Sequence, residues 1–323
     1  MSRIVDWDGH IGRRLRLRDL HVFLMVMQFG SLAKAAAQLR VTQPAVSQVI
    51  AELERNVGAK LFDRGRRGVE PTVYAHALLS RSRVAFDELR QGLRDIEFLA
   101  DAETGEVRVG STTADVLLPP VLHRFSQRYP RVVVHVEEVP IPATDVSGLR
   151  DRKLDLILGH LPPLAGTAMA DLNIEFLFHD QLVIAASRRN RWARRSKIDL
   201  AELVDEPWVL PSADTWNYRG LAEAFIERGL SPPKPNLVAL STPLRTYLLG
   251  HGPHLTSLTS STVLLDPYRQ LLKVLPVDLP VRPWPVVVLR LANRTLSPVV
   301  DRFVECAREV ARTVVGKRQV DHA

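Results

Sequence analysis

The sequence predicts a mixed α/β protein in three parts: a winged helix-turn-helix, a long helix, and a carboxy-terminal α/β region of two lobes. Three observations carry that expectation. Three short amphipathic helical patterns followed by a glycine-flanked basic turn fill residues 17–73. An apolar repeat alternating by four and three residues then runs from Tyr74 to about Ala102. Beyond it, short β-rich runs alternate with helical ones to the end of the chain. With 323 residues, 46% of them hydrophobic, the chain can fill two or three separate cores.

The elements follow in order. Leu20, Phe23, Leu24 and Met27 make one helical stripe, and Gly30 ends it as a left-handed cap. Ser31 caps a second, alanine-rich helix over 32–39, whose small side chains let another helix approach closely. After a turn at Arg40 and Val41, Thr42 caps a third helix with Pro44 in its first turn. Val46, Val49, Ile50, Leu53 and Val57 give that helix an apolar face, and Gly58 stops it. Leu61–Arg64 and Val69–Thr72 then form a hairpin around Gly65, Arg66, Arg67 and Gly68. In the long helix, Leu78, Ser82, Ala85, Leu89, Gly92, Ile96 and Leu99 form a seam widened by Leu79, Phe86 and Leu93. That seam predicts pairing with a second copy of the chain.

From residue 104 onward the strand-like runs are GEVRVGS, VVVHVEE, KLDLILG, DQLVIAAS, EPWVLP and WPVVVLRLA, separated by helical stretches over 117–129, 218–228 and 299–315. This alternation predicts a largely parallel sheet covered on both faces.

Charge sharpens the reading. Residues 1–75 hold 12 Lys and Arg against 7 Asp and Glu, whereas the other 248 hold 31 against 29, so most of the net +7 sits in the first quarter. Of the 43 basic residues 36 are arginine, the side chain that forks onto phosphates and guanine edges. A GC-rich genome accounts for an arginine bias, but not for its placement. A helix-turn-helix lays its third helix in the major groove, so the face opposite Val46, Ile50 and Leu53 carries the base readers. That face shows Gln43, Ser47 and Gln48, with Pro44 and Ala45 able to touch a thymine methyl. Arg64, Arg66 and Arg67 belong on phosphates or in the minor groove.

These residues resemble the LysR-type transcriptional regulators. The match runs through Ala35-Ala36, Thr42-Gln43-Pro44-Ala45-Val46-Ser47, Leu53-Glu54, Gly58 and Leu61-Phe62-Asp63-Arg64, in order. Gln48 departs from the arginine that many members carry there. The resemblance implies that the rest of the chain is a periplasmic-binding-protein-like effector domain, with GEVRVGSTTADVLLPPVLHRFSQRYP as its opening strand and helix. The implied division is a DNA-binding head over 15–73, a linker and dimerisation helix over 74–103, and an effector-binding domain over 104–323. Lobe I then covers about 104–178 and 280–323, and lobe II about 179–279. The expected DNA contacts are Ser31, Thr42, Gln43, Pro44, Ala45, Ser47, Gln48, Arg64, Arg66 and Arg67.

The effector of this family lies between the lobes, where strand ends and helix starts meet. Ser111, Thr112 and Thr113 stand at one such place, Ser212 and Thr215 in VLPSADTW at another, and His160 in LILGHLPP replaces the arginine of some acid-sensing members. Hydroxyls and open N–H groups at a helix start suit an anionic oxygen, although capping alone accounts for the same residues. The carboxy-terminal stretches look most like members answering to sugars or aromatic and sugar-derived acids.

Double-stranded DNA, a small-molecule effector, a second copy of the chain in a dimer or a dimer of dimers, and RNA polymerase are the expected partners. No cofactor, metal or membrane is expected. The single Cys306 excludes an intramolecular disulfide and fits a reducing cytoplasm; His251 and His254 lack a third ligand; no apolar stretch approaches a membrane span. No Walker loop, Gly-x-Ser-x-Gly or His-Glu-x-x-His is present, so the alternatives of an enzyme fused to a DNA-binding head, or of a non-specific architectural DNA binder, have less to stand on.

Overall fold

The computed structural model describes residues 15–65, 68–101, 104–112, 117–139, 146–161, 169–264 and 268–321. The chain forms two compact units that divide between Arg90 and Gln91.

In the first unit, α1 (Leu17–Phe29) stops at Gly30, whose φ of 61° is left-handed. Helix α2 (Leu32–Leu39) starts at Ser31, whose hydroxyl accepts from the Lys34 N–H, and ends at Arg40 with φ 55°. A side chain in that region costs roughly 1–2 kcal/mol. The turn is held by Arg40 N–H to Ala37 O at 3.2 Å and Val41 N–H to Ala36 O at 3.0 Å. Helix α3 (Gln43–Val57) is capped by Thr42 and terminated by Gly58 at φ 73°. Strands β1 (Phe62–Gly65) and β2 (Gly68–Pro71) pair antiparallel, Phe62 opposite Pro71. The core gathers Phe23, Val26, Ala35, Val46, Ile50, Leu53, Leu61 and Phe62. Val26 lies at its centre, while the expected stripe residues Leu24 and Met27 are only half-buried.

Helix α4 (Val73–Ala100) divides the residues of the expected seam between two surroundings. Leu78, Leu79 and Phe86, expected on the seam, are half-buried against the core of the first unit. Leu89, Leu93, Ile96 and Leu99 remain exposed on the chain, at 49%, 63%, 64% and 81%.

The second unit carries two five-stranded sheets. Its elements in order are β3 (Thr104–Ser111), α5 (Leu118–Arg128), β4 (Arg131–Glu138), α6 (Ser147–Arg150), β5 (Leu156–His160), β6 (Leu172–Asp180), β7 (Leu182–Ser187) and β8 (Trp208–Leu210). They continue with α7 (Trp216–Glu227), β9 (Pro235–Val238), α8 (Thr242–His251), β10 (Leu255–Thr259), α9 (Ser260–Leu264), α10 (Tyr268–Leu271), β11 (Leu272–Val274), β12 (Trp284–Leu291) and α11 (Pro298–Asp321). One sheet has the order β4-β3-β5-β12-β6 and the other β11-β7-β10-β8-β9.

Both sheets are mixed, which corrects the expectation of a largely parallel one. Strands β4, β3 and β5 are parallel and so are β9, β8 and β10, but β12, β6, β7 and β11 join antiparallel. The cause is connectivity. Strand β6 turns through Gln181 directly into β7, and β12 returns from the other sheet to lie between β5 and β6. Each sheet is packed on both faces: Val107, Leu156, Phe125, Val286 and Phe303 on one side of the first, and Leu149, Ile157, Val287 and Leu289 on the other. A buried ion pair braces the first sheet. Arg294 Nη2 donates to Asp155 Oδ1 at 2.9 Å, both side chains are 1% exposed, and Asp155 Oδ2 also accepts the Arg108 N–H at 2.8 Å.

Candidate functional sites

The head presents one face of α3. Val46, Ile50 and Leu53 are buried, whereas Gln43, Pro44 and Gln48 are exposed and Ala45 and Ser47 half-buried. A 3.6-residue period puts apolar and polar positions on opposite sides, so the same sequence that docks the helix also sets out its polar edge. Ser31 and Thr42 spend their side-chain oxygens on the Lys34 and Ala45 N–H groups at 3.4 Å. Arg64 stands in β1 opposite Val69. Arg66 and Arg67 lie outside the described residues.

Glu54 gives the motif Leu53-Glu54 a physical role. Its Oε1 accepts the N–H groups of Leu61 at 2.8 Å and Phe62 at 3.2 Å, and its Oε2 accepts Lys60 Nζ at 3.0 Å. It thereby fastens the hairpin to α3. Partial burial works to raise this carboxyl, but hydrogen bonds from Lys60, Leu61 and Phe62 outweigh it and hold the pKa below the ordinary value.

In the second unit a cleft of about 760 Å³ is lined by residues of both sheets. It brings together Ser111, Thr112, His160, Ser212 and Thr215. Thr113 lies outside the described residues. The Ser111 hydroxyl donates to Leu158 O at 3.1 Å, and Thr112 Oγ1 accepts the His160 N–H at 3.1 Å. Gly159 is what lets Thr112 in, because a Cβ there would fall 1.9 Å from Thr112 Oγ1. Thr215 caps α7 and donates its hydroxyl to Ser212 O at 2.7 Å. The hydroxyl hydrogens of Ser111 and Thr215 are thus already committed.

Other parts of this cleft carried no separate signal in the sequence. Trp216 lies against the His160 ring, centroids 4.9 Å apart. Ser241 and Thr242 open α8, and Arg245, 3% exposed, donates to Ser257 O at 2.9 Å and toward Thr256 and Thr242. Behind His160, its Nε2 meets Asp180 Oδ2 at 3.1 Å. Asp180, fully buried, also accepts the Gln181 N–H, the Ser260 hydroxyl, and both N–H and hydroxyl of Ser261. Ser-Ser spacing eighty residues away gives no hint of this.

Among the described residues no group of three His, Cys, Asp or Glu is placed to hold a metal, and no helix is long and apolar enough to cross a membrane.

Two family models match the chain. One, the bacterial regulatory helix-turn-helix protein of the lysR family, covers residues 17–76, and the other, the LysR substrate binding domain, covers residues 100–312. Curated relatives include the uncharacterized HTH-type transcriptional regulator YdcI of Escherichia coli K12, 28% identical over 94% of this chain and 99% of that protein. The regulator TdcA of the same organism is 29% identical over 67% of this chain and 68% of its own length. Among solved structures, CbnR, a LysR family transcriptional regulator, superposes with a TM-score of 0.56 at 20% identity, covering 92% of this chain and 99% of CbnR. Full-length OxyR C199D from Pseudomonas aeruginosa gives a TM-score of 0.60 at 20% identity, covering 92% and 94%. At that identity the structures speak for the fold, and the family models for membership. The chain belongs to the LysR family and is a DNA-binding transcriptional regulator with an effector-binding domain, not an enzyme.

Proposed function

We propose that this regulator reads its operator with the exposed edge of α3, and that a small organic acid or sugar in the cleft of the second unit modulates operator binding or activation. Residues 15–73 would read DNA, 74–103 couple two copies, and 104–323 sense the effector. The observation that carries the reading is the sidedness of α3: Gln43 and Gln48 open to solvent, with Val46, Ile50 and Leu53 buried behind them. Gln43 and Ser47 supply base contacts, with Pro44, Ala45 and Gln48 beside them. Ser31 and Thr42, at helix starts, and Arg64, Arg66 and Arg67, in the wing, bear on phosphates. The protein works in the cytoplasm, with RNA polymerase as its further partner.

An operator selected from a random-sequence pool provides the test. Gln43→Ala and Ser47→Ala should each lose about 1–3 kcal/mol of preference for it over a scrambled duplex, with non-specific affinity kept. If both duplexes weaken equally, the reading face is wrong and an architectural binder is the better description. Arg66→Ala with Arg67→Ala should weaken both duplexes and reduce the slope of log K against log salt by about 0.9 per lost phosphate.

The exposed row Leu89, Leu93, Ile96 and Leu99 fits a second copy of the same helix, since an isolated apolar face of this length is unstable in water. A fragment of residues 1–103 should sediment as a dimer and its Leu89→Arg variant as a monomer. A monomeric wild-type fragment would move self-association into the remainder of the chain.

A further inference from the structure

We propose that the second unit carries a DNA-contacting surface of its own, a basic turn from Arg188 to Lys197 that lies on the phosphate backbone of the duplex held by the head. This goes beyond the reading of α3, which asks for no contact from the second unit. The segment SRRNRWARRSKI, residues 187–198, holds six Lys and Arg and no Asp or Glu. Without those six, residues 76–323 hold 25 Lys and Arg against 29 Asp and Glu, so the net positive charge of that part of the chain comes from this one turn.

The turn is held in place from several sides. Asn190 Oδ1 accepts the Trp192 N–H at 3.0 Å while its Nδ2 donates to Pro253 O at 2.9 Å, and Lys273 Nζ donates to Ala193 O at 2.7 Å. Arg188 donates from Nε and Nη2 to Arg269 O at 3.2 and 3.0 Å. Trp192 and Ala193 are buried, whereas all six basic side chains are exposed. In the 3₁₀ turn Arg191–Arg194, residues three apart eclipse one another, so Arg191 and Arg194 share one side. The guanidiniums of Arg191 and Arg195 lie over the Trp192 ring, 5.1 and 5.9 Å from its centroid.

Acids answer only two of these cations. Glu206 pairs with Arg191 and Glu202 with Arg195. Arg189, Arg194 and Lys197 meet no acid among the described residues, and Arg188 spends its donors on a carbonyl, which leaves its charge uncompensated. Arg269 and Lys273, which the Arg188 and Ala193 contacts place alongside, add two more cations, against the exposed Asp199 and Asp205. Like charges crowded on one turn repel and do nothing for folding. They suit a partner that presents a row of negative charges, and arginine forks onto phosphate oxygens. Because the head already holds the duplex, a surface on the same chain meets DNA at high effective concentration and adds affinity even where its own contact is weak.

The test uses the full-length protein, the selected operator with and without long flanks, and two triple variants. Arg189→Ala, Arg194→Ala and Lys197→Ala together remove the unpaired cations of the turn. Arg219→Ala, Lys234→Ala and Arg312→Ala remove the same charge from exposed positions elsewhere on the second unit. On the flanked duplex the first triple should bind more weakly than the wild type, with the slope of log K against log salt reduced by about 0.9 per lost phosphate, up to about 2.7. Its preference for operator over scrambled duplex and its melting temperature should stay. The second triple should keep the wild-type slope, and hydroxyl-radical footprinting should show backbone protection lost in the first triple alone. Adding Gln43→Ala should remove operator preference and leave the difference in slope, so the reading of α3 and this one fail separately. An unchanged slope in the first triple on both duplexes overturns the proposal. Equal losses in the two triples overturn it as well, since they report net charge and no contact. A first triple that binds DNA like the wild type but no longer supports transcription also overturns it, and puts an acidic protein surface on the turn instead.

Discussion

The reading face of α3 and the floor of the cleft solve opposite problems. On α3 Gln43 and Gln48 stand in solvent and are placed by what is buried behind the helix, so either can change without disturbing the fold. In the cleft the polar side chains are themselves buried and are held by further polar groups, as His160 is by Asp180 and Arg245 by Ser257 and Thr256. A substitution on α3 should therefore alter binding with little change in stability, whereas one beneath the cleft should alter both.

The largest effect that tests this contrast is expected at the buried pair of the second unit. Asp155→Ala removes the acceptor of Arg294 Nη2 and of the Arg108 N–H, leaving a guanidinium in a core where it cannot be hydrated. The cost should be roughly 3–5 kcal/mol, seen as a lowered melting transition of the second unit with the head unchanged. A shift of the same size in both transitions would mean that the two units do not unfold separately. Gln43→Ala, by contrast, should leave both transitions in place.

The smallest effect concerns Glu54, a polar residue of the head that is held the way the cleft residues are. Its folded pKa is depressed, so its contribution is fully present above the unfolded value near 4.3 and disappears as pH falls through the lower folded value. Glu54→Gln should cost about 0.5–1.5 kcal/mol between pH 6 and 8, and the gap to the wild type should close toward pH 3. A gap that is constant down to pH 3 would assign the loss to geometry instead of charge.

The two regions were also unequally legible. In the head every signal is local: caps at Ser31 and Thr42 and stops at Gly30 and Gly58 fall within a few residues of what they control. The second unit hid more. β10 reads LTSLT, yet all five residues are buried, and small polar side chains give neither the alternation nor the apolar run that marks a strand. β6 mixes Asn173, Glu175 and His179 into its run because it is an edge strand, exposed along part of its length. Helix α8 was not read from the sequence: it is only ten residues long, and its Ser241 cap and Pro243 sit in a short polar stretch that reads equally as a turn. Asp180 had no local signal at all. Apart from the neighbouring Gln181 N–H, its partners lie 20 residues before it and 80 or 81 after, and only the fold brings them together.

The register of β6 and β12 has a consequence for how such a domain is assembled. Asp180 and Trp284 are direct partners across two antiparallel neighbours, so everything from 181 to 283 is inserted at the tip of a β-hairpin. The buried cores respect that boundary: one is built from residues up to Phe178 and from Val286 onward, and the other from Leu182 to Leu275. In architectural terms the second lobe is a cassette spliced into the first through two adjacent backbones. Deleting 181–283 and closing the gap with Asn-Gly, the turn that matches the twist of paired strands, should leave a free-standing single-lobe protein. It also means that the backbone crosses between the two lobes only twice, at neighbouring points, and the remaining contacts between them are made by side chains such as Trp216 against His160 and Ser260 and Ser261 on Asp180.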